Sequence, residues 1–149
     1  MDPLSLADRS WPVLRRMMGG HTWLYRRTGG RIGHRFPGLG PMLLLDHVGA
    51  KSGVKRTIPL LYIDDPPNLV IVASKGGYPQ HPAWYHNLLA NPDTIVQIAA
   101  ERRRVHARVA TATERARLWP MAVATYSGYS GYQERTDREI PLIILETRD

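Results

Sequence analysis

The stretch Leu69–Pro92, LVIVASKGGYPQHPAWYHNLLANP, decides how this chain folds. It opens with an unbroken apolar run from Leu69 to Ala73, which is too short for a helix and rich in β-branched residues, so it predicts a buried strand. Polar residues and two glycines follow at once, from Ser74 to Gly77. Glycines let the backbone approach a ligand closely, and a lysine and a hydroxyl group are donors suited to an anion. An ordinary loop between two elements explains these residues equally well.

A helix is predicted directly after this turn. Pro82 suits a first helical position, the residues from Ala83 to Ala90 continue the helix, and Asn91-Pro92 ends it. The stretch thus combines a strand, a glycine-rich turn with a cation, and a helix that carries aromatic residues. This combination is consistent with one edge of a cofactor site.

Five other segments have the residue pattern of strands: 42–48, 56–63, 94–99, 104–109 and 140–145. They follow one another in hairpin order, so an antiparallel α+β sheet or barrel is favoured over a parallel βαβ fold. Pro59 indicates that its strand lies at an edge or contains a bulge. Glu101-Arg102 is expected to turn the third of these strands into the fourth.

A second helix is predicted between the last two of these strands. Thr111 and Glu114 fit a capping box, in which each side chain bonds the backbone N–H of the other residue. Pro120 lacks a backbone N–H, so we expect it to kink or restart this helix.

The composition limits the class of protein. The 149 residues are expected to form one domain, 1–149, and a hydrophobic fraction of 43% is enough for a packed core. No apolar run approaches the roughly 18 residues that cross a bilayer, and no signal peptide is visible, so a cytoplasmic location is expected. The absence of cysteine excludes disulfides and thiolate metal sites. Without a His-Glu-x-x-His spacing or a carboxylate cluster, no metal site is expected.

The net charge of +7 suggests an anionic partner, which is a nucleic acid, a membrane or a small molecule, although a solvated basic surface also explains it. Residues 1–27 form a basic amphipathic segment in which Leu14, Met17 and Met18 share a helical face. Such a segment either lies on an anionic bilayer or, more commonly, packs on its own domain.

Basic residues also cluster at the turn after the first strand, where Lys51, Ser52, Lys55 and Arg56 lie within six positions. The spacing of the glycines differs from that of a P-loop, so nucleotide hydrolysis is not expected. Lysine offers a point charge and arginine a planar fork for phosphate or carboxylate. A solvated hairpin tip is the stronger interpretation until another anion donor is found nearby.

Three tyrosines, Tyr126, Tyr129 and Tyr132, recur every third residue, so they fall on neighbouring turns of one helix or tight helical loop. Gly128 and Gly131 disfavour a regular buried helix. A tyrosine hydroxyl can donate to a developing oxyanion and its ring can stack on a flat ligand, so these residues predict an aromatic lid.

In their order these motifs resemble the actinobacterial deazaflavin-dependent nitroreductases. The matching segments cover nearly the whole chain: Trp23–Arg27, Gly49–Gly53, Val70–Gly77, Pro82–Leu88, Ala90–Pro92, the tyrosine series and Thr136–Pro141. The resemblance implies an antiparallel split β-barrel with peripheral helices, which binds the deazaflavin coenzyme F-420 (8-hydroxy-5-deazaflavin) in place of FMN.

The resemblance also assigns roles to residues. The anionic phosphate and glutamate tail of the coenzyme would be held at the hairpin turn by Lys51, Ser52 and Arg56. The groove for the phosphate and ring would be lined by Ala73, Ser74, Lys75, Gly76 and Gly77, and backed by Trp84 and Tyr85. The tyrosines Tyr126, Tyr129 and Tyr132 would close over the acceptor. Our hypothesis is that Tyr129, with Ser74, either stabilises the negative charge on the acceptor by hydrogen bonding or donates the proton.

The implied activity is hydride transfer from the reduced coenzyme to an electron-poor acceptor such as a quinone, an activated alkene or a nitroaromatic compound. The nitroimidazole-activating branch has an arginine in place of Ala50 and a tyrosine in place of Leu61, so nitroimidazole reduction is not expected. Two alternatives are a non-catalytic protein that binds deazaflavin, FMN or haem, and a nucleic-acid binder. The second is disfavoured, because the aromatic residues are not interleaved with the arginines from Arg102 to Arg104.

Overall fold

The structure, a computed structural model, describes residues 20–30, 34, 40–77 and 79–148. Its strands are β1 (Met42–Val48), β2 (Lys55–Leu61), β3 (Ile63–Asp65), β4 (Asn68–Val72), β5 (Asp93–Ile98), β6 (Glu101–Val109) and β7 (Leu142–Arg148). Its helices are α1 (20–28), α2 (Ala83–Ala90), α3 (Ala112–Thr125) and α4 (Gly128–Glu134), and a short 3-10 turn spans Lys75–Gly77. The predicted helical face of Leu14, Met17 and Met18 lies outside the described residues.

The seven strands of the described part form one sheet in the order β2-β1-β5-β6-β7-β4-β3, and every adjacent pair is antiparallel. The predicted antiparallel α+β architecture is therefore confirmed. The strand predicted over 56–63 divides at Tyr62, because β2 pairs with β1 at one edge of the sheet and β3 pairs with β4 at the other. Pro59 lies in the edge strand β2, as its missing N–H predicts.

The apolar run at the start of the quoted stretch is explained by burial on both faces of β4. Leu69 and Ile71 belong to a core that also contains Trp84 and Leu88 of α2. Val70 and Val72 point to the opposite face, into a second core covered by α3 and α4. Fully burying each such side chain stabilises the fold by about 1.5–3 kcal/mol, so β4 carries much of the stability of both layers.

Helix α1 packs on the outer side of β1 and β5 through Tyr25, which is fully buried. The Tyr25 hydroxyl accepts a hydrogen bond from the Ala99 N–H at 2.7 Å and donates to the Met42 carbonyl at 2.9 Å. Arg26 of the same helix pairs with the carboxylate of Asp46 at 3.2 Å. The described part of the N-terminal segment therefore packs on its own domain.

The predicted turn at Glu101-Arg102 is wrong. Glu101 pairs with Ile98, and the chain turns at Ala99-Ala100, where Ala99 has a φ of 52°. The polar run after the turn resembles a loop in the sequence, but its residues alternate between the two faces of β6.

The helices differ from the sequence predictions at two prolines. Pro82 precedes α2 as its N-cap, so Ala83 is the first helical residue. Helix α3 continues through Pro120 as one element. Leu118 and Ala122, on either side of this proline, are both fully buried, so core packing outweighs the loss of one backbone hydrogen bond.

The start of α3 and the bounds of the final strand can also be compared with the sequence predictions. The capping box of Thr111 and Glu114 is confirmed, with both reciprocal hydrogen bonds present. The final strand runs over Leu142–Arg148, so the predicted range 140–145 begins two residues early. Ile140 is fully buried in the second core without belonging to the strand.

Candidate functional site

The glycine-rich turn at the end of β4 packs directly against helix α4. Lys75 and Gly77 both adopt left-handed backbone conformations, with φ of 44° and 81°. A Cβ atom at Gly77 would lie 2.7 Å from the carbonyl oxygen of Tyr132. The backbones of the turn and of α4 are therefore in close contact, which brings the predicted cofactor turn beside the tyrosine series.

The three tyrosines form one cluster at the junction of α3 and α4. Tyr126 is the C-cap of α3, whereas Tyr129 and Tyr132 lie in α4. Their ring centroids are 5.1 to 6.3 Å apart, and the hydroxyls of Tyr126 and Tyr132 are 3.1 Å apart. Despite its two glycines the segment is a regular helix, and Tyr129 is part of the second core with 5% of its surface exposed.

Burial keeps these phenols protonated. Desolvation, followed by the neighbouring tyrosines, raises the pKa of Tyr129 well above its ordinary value. Desolvation and the hydrogen bond with Tyr126 raise the pKa of Tyr132 to about 12. In the physiological range both hydroxyls are therefore neutral and able to donate.

The hydroxyls of Tyr129 and Ser74 have no hydrogen-bond partner in the described part of the chain. Every fully buried side-chain nitrogen or oxygen there does have a partner, so the Tyr129 hydroxyl reaches the surface although its ring is buried. Two donors in this part of the fold are thus available to a ligand.

Arg138 holds the same turn from the loop before β7. Its Nη1 donates to the carbonyl of Ala73 at 3.2 Å, and its Nη2 donates to the carbonyl of Ser74 at 2.8 Å. Sequence reasoning did not assign a role to this residue. The available signal was its position in the segment Thr136–Pro141, one of those that carry the family resemblance.

Helix α2 connects the turn with the β1–β2 hairpin. Trp84 is buried in the first core, where it packs between α2 and the sheet. Its ring is therefore largely inaccessible to a ligand. Tyr85 is half-buried and stacks on His81, with ring centroids 4.4 Å apart. Asn87 accepts a hydrogen bond from the Ala50 N–H at 2.9 Å, and its amide nitrogen lies 2.9 Å from Nδ1 of His47. The hairpin tip is therefore docked on α2.

The predicted anion-binding residues of the hairpin, Lys51, Ser52 and Arg56, are all exposed. Within the described residues neither Lys51 nor Arg56 forms an ion pair. Lys55, by contrast, lies 3.5 Å from the Asp46 carboxylate. Because side chains alternate along a strand, Lys55 and Arg56 face opposite sides of the hairpin.

The two sides of this hairpin therefore differ in charge. On the Lys55 side, Asp46 is also approached by Arg26 at 3.2 Å and by Arg102 at 3.6 Å, so its charge is already compensated. On the Arg56 side, the unpaired guanidinium lies opposite His47, whose pKa is lowered by burial and then by Arg56. Among the described residues of β2, the cation without an ion pair, Arg56, is therefore on the side that faces α2.

A separate groove of about 400 Å³ lies beside strands β1, β2, β5, β6 and β7. It is lined by Asp46, Lys55, Asp93, Thr94, Ile95, Arg104, Val105 and Arg148. None of the predicted site residues contributes to it.

A family model described as F420H(2)-dependent quinone reductase matches residues 17–147. The chain belongs to this family. One relative, Rv1261c of Mycobacterium tuberculosis, is named as an F420H(2)-dependent quinone reductase and is 45% identical over 131 residues, which are 86% of this chain and 88% of that protein.

Two solved structures are similar to this chain. One, described as the F420-H2 dependent reductase FDR-A, is 43% identical, has a TM-score of 0.66 and covers 71% of this chain and 94% of its own. Another, described as a domain-swapped dimer, is 36% identical, has a TM-score of 0.69 and covers 91% of this chain and 99% of its own. The split-barrel fold is thereby confirmed.

As a member of the F420H(2)-dependent quinone reductase family, the protein is an oxidoreductase that uses reduced coenzyme F-420 and has quinones as acceptors. These predictions from the sequence are confirmed. The residues fit such a coenzyme, because Lys51 and Arg56 form no ion pair with any described residue and match its anionic tail, and because the glycine-rich turn, which includes the Ser74 hydroxyl, packs on the helix that carries Tyr129 and Tyr132. The individual roles of the residues stay predictions.

Proposed function

We propose that this quinone reductase binds coenzyme F-420 along α2, between the β1–β2 hairpin and the glycine-rich turn, and reduces its quinone at the tyrosine cluster. The close contact between Gly77 and the Tyr132 carbonyl is the observation that supports this arrangement most directly. It brings the turn proposed to hold the coenzyme beside the residues proposed to contact the acceptor.

The tail of the coenzyme is proposed to lie at the hairpin. Lys51 and Arg56 are exposed and unpaired among the described residues, so an anion gains charge-assisted hydrogen bonds there without displacing a carboxylate. Ser52 adds a hydroxyl at the same turn. The phosphate and ring are proposed to lie along the residues of the glycine-rich turn and its flanks: Ala73, Ser74, Lys75, Gly76, Gly77 and Tyr85.

The reduced coenzyme supplies a hydride, which the quinone takes up together with a proton to give a quinol. Negative charge develops on a quinone oxygen as the hydride arrives, and Tyr129 and Ser74 are proposed to donate hydrogen bonds to that oxygen. Because burial raises the pKa of Tyr129, its hydroxyl is a poor source of the transferred proton and a stable hydrogen-bond donor. Tyr126 and Tyr132, joined through their hydroxyls, are proposed to cover the acceptor.

Tyr129→Phe is expected to lower kcat about 100-fold, which is the typical loss when one donor to a developing oxyanion is removed. Affinity for the coenzyme should change less than about twofold, because the hydroxyl is proposed to contact the acceptor alone. Steady-state kinetics with menadione and a fluorescence titration of the coenzyme measure the two quantities. Tyr126→Phe, which loses a hydroxyl already engaged with Tyr132, should cost less turnover. Unchanged turnover in Tyr129→Phe would remove the proposed role.

The exposed face of α1 is proposed to rest on an anionic membrane surface, where quinones dissolve. Trp23 is 60% exposed and Leu24 is 39% exposed, and the Arg27 guanidinium lies 5.5 Å from the Trp23 ring centroid. An exposed tryptophan beside arginines is typical of segments that lie at the interface of a bilayer. No helix within the described residues is long and apolar enough to span a membrane.

Replacing Trp23 with serine is expected to reduce co-sedimentation of the protein with anionic vesicles by several-fold, since the indole supplies most of the exposed apolar area of α1. Val109→Ser is the matched control, because Val109 is also an exposed apolar residue, at 41%, but lies at the end of β6. Equal vesicle binding by wild type and Trp23→Ser would argue against the membrane contact.

A further inference from the structure

Arg138 connects three segments that are distant in the sequence. From the loop before β7, its guanidinium donates to the carbonyls of Ala73 and Ser74 at the end of β4, 65 and 64 positions away. Its Nη1 also lies 3.1 Å from Nδ1 of His81, which immediately precedes Pro82, the N-cap of α2. One side chain therefore ties the glycine-rich turn to the start of the helix that backs it.

These contacts determine the protonation state of His81. A guanidinium can only donate, so Nδ1 of His81 must accept, and the ring then carries its single proton on Nε2. A doubly protonated ring would direct an N–H at Arg138 and place two positive groups in contact. The contact between Arg138 and His81 is thus present only while His81 is neutral.

The surroundings of His81 favour the neutral form. Tyr85 stacks on its ring, and the ring of His86 lies 5.8 Å away, so Arg138 and His86 are the groups of positive or potentially positive charge that face it. Desolvation, then Arg138 and His86, lower the pKa of His81 below its ordinary value of 6.5. Among the described residues, no carboxylate raises the pKa of His81 against this effect.

We propose that Arg138 and His81 form a pH-dependent clamp that holds the Ser74–Gly77 turn in its coenzyme-binding position while His81 is neutral and releases it on protonation. This inference rests on the proposed function, in which that turn contacts the coenzyme. Two backbone hydrogen bonds act on the same segment: the Gly77 N–H bonds the Ser74 carbonyl at 3.0 Å, and the Ala73 N–H bonds the Pro141 carbonyl at 3.0 Å. Arg138 and His81 are positioning residues, because they act on the coenzyme through the turn.

The direction in which coenzyme affinity changes with pH follows from the requirement that His81 be neutral in the clamp. When the turn is released, His81 can bind a proton; when the turn is clamped, the contact with Arg138 prevents this. Acid therefore favours release of the turn. Affinity for the coenzyme should therefore fall as the pH drops below the pKa of His81, and it should be independent of this group at higher pH.

The matched variant is His81→Asn, because Oδ1 of asparagine takes the place of Nδ1, accepts from Arg138 and does not titrate. We expect its Kd for coenzyme F-420 at pH 7.5 to stay within about threefold of wild type, since one acceptor replaces another. Between pH 7.5 and 5.5 the Kd of wild type should rise at least about threefold more than that of His81→Asn, because up to tenfold per pH unit is available below a pKa. Titration of the coenzyme itself is common to both proteins and cancels.

Arg138→Lys provides a second test. A lysine is a point charge that cannot bridge two carbonyls and a ring nitrogen with fixed geometry, so affinity should fall about tenfold and lose its dependence on His81. Arg117→Lys is the control, because Arg117 of α3 also forms a two-pronged contact, with the carboxylate of Asp65 in β3, and lies outside the clamp. An equal loss in both variants would overturn the inference.

A measurement on the free protein separates this inference from the proposed function. At pH 7.5 the ring 15N shifts of His81 should show a proton on Nε2, and the Gly77 amide should lose hydrogen-exchange protection at pH 5.5 in wild type but not in His81→Asn. A proton on Nδ1 at pH 7.5, or the same loss of protection in both proteins, would overturn the clamp. If these results hold and the wild type does not bind the coenzyme, the proposed function fails and the clamp stands.

Discussion

Gly77→Ala is expected to weaken binding of coenzyme F-420 about 10- to 100-fold, which corresponds to about 1.4–2.8 kcal/mol. The added Cβ atom would lie 2.7 Å from the carbonyl oxygen of Tyr132 and 3.0 Å from its Cα, and neither backbone atom can rotate away as a side chain can. The φ of 81° at this position adds the strain of a left-handed conformation for alanine. The turn and α4 must therefore separate, which displaces the proposed coenzyme residues from the tyrosine cluster.

The effect of Gly77→Ala is measured by fluorescence titration of the coenzyme together with thermal unfolding, where we expect a loss of stability of about 1–3 kcal/mol. Gly131→Ala is the matched control. It lies in α4 with nothing within 4 Å of an added Cβ atom, so alanine should stabilise the helix by about 0.5–1 kcal/mol and leave the turn in place. Coenzyme binding by Gly77→Ala at the wild-type level would contradict the proposed location of the groove.

Arg56→Gln is expected to weaken coenzyme binding about 10- to 100-fold, because a hydrogen bond to a charged group contributes about 1.5–3 kcal/mol. Stability should change little, since Arg56 is exposed and forms no ion pair among the described residues. The affinity of the variant should also depend less steeply on salt concentration than that of wild type, because one screened charge contact is lost.

Lys55→Gln is the control for Arg56→Gln. The two residues are adjacent on β2, but Lys55 faces the other side of the hairpin and lies 3.5 Å from Asp46. The control loses the same unit of charge from the protein, so an effect of net charge alone would appear equally in both variants. An equal loss of affinity in the two variants would show that Arg56 does not contact the coenzyme directly.

Much of the fold was predictable from the sequence, because the decisive signals are local. The run from Leu69 to Ala73 lacks alternation, and a strand of that kind is stable only when both of its faces are buried, as those of β4 are. Thr111 and Glu114 specify a helix start within four residues. The predicted turn at Glu101 is wrong, and a restart of the helix at Pro120 does not occur, because packing of distant residues outweighed a local preference at both places.

The candidate site was predictable only in part. The order of motifs predicted roles for the turn, the hairpin and the tyrosines, and it assigned the anionic tail to Arg56 without a physical reason to distinguish this residue from Lys55. That distinction depends on Arg26, Lys55 and Arg102 meeting at Asp46, and these residues come from α1, β2 and β6. Trp84 was assigned to the cofactor groove on its position in the motif, whereas the fold buries it in the first core.

By itself the sequence determined most of the strands and helices and the glycine-rich turn, since each is encoded in residues close together along the chain, and the order of these motifs determined the family. Only the tertiary structure decided how the glycine-rich turn within the stretch Leu69–Pro92 is held in place. Arg138 reaches it from 57 to 65 positions away, and it donates there to two backbone carbonyls, which any residue type provides. A hydrogen bond to a backbone carbonyl places no requirement on the type of residue that supplies the carbonyl. The sequence of the turn therefore does not reveal that Arg138 is its partner.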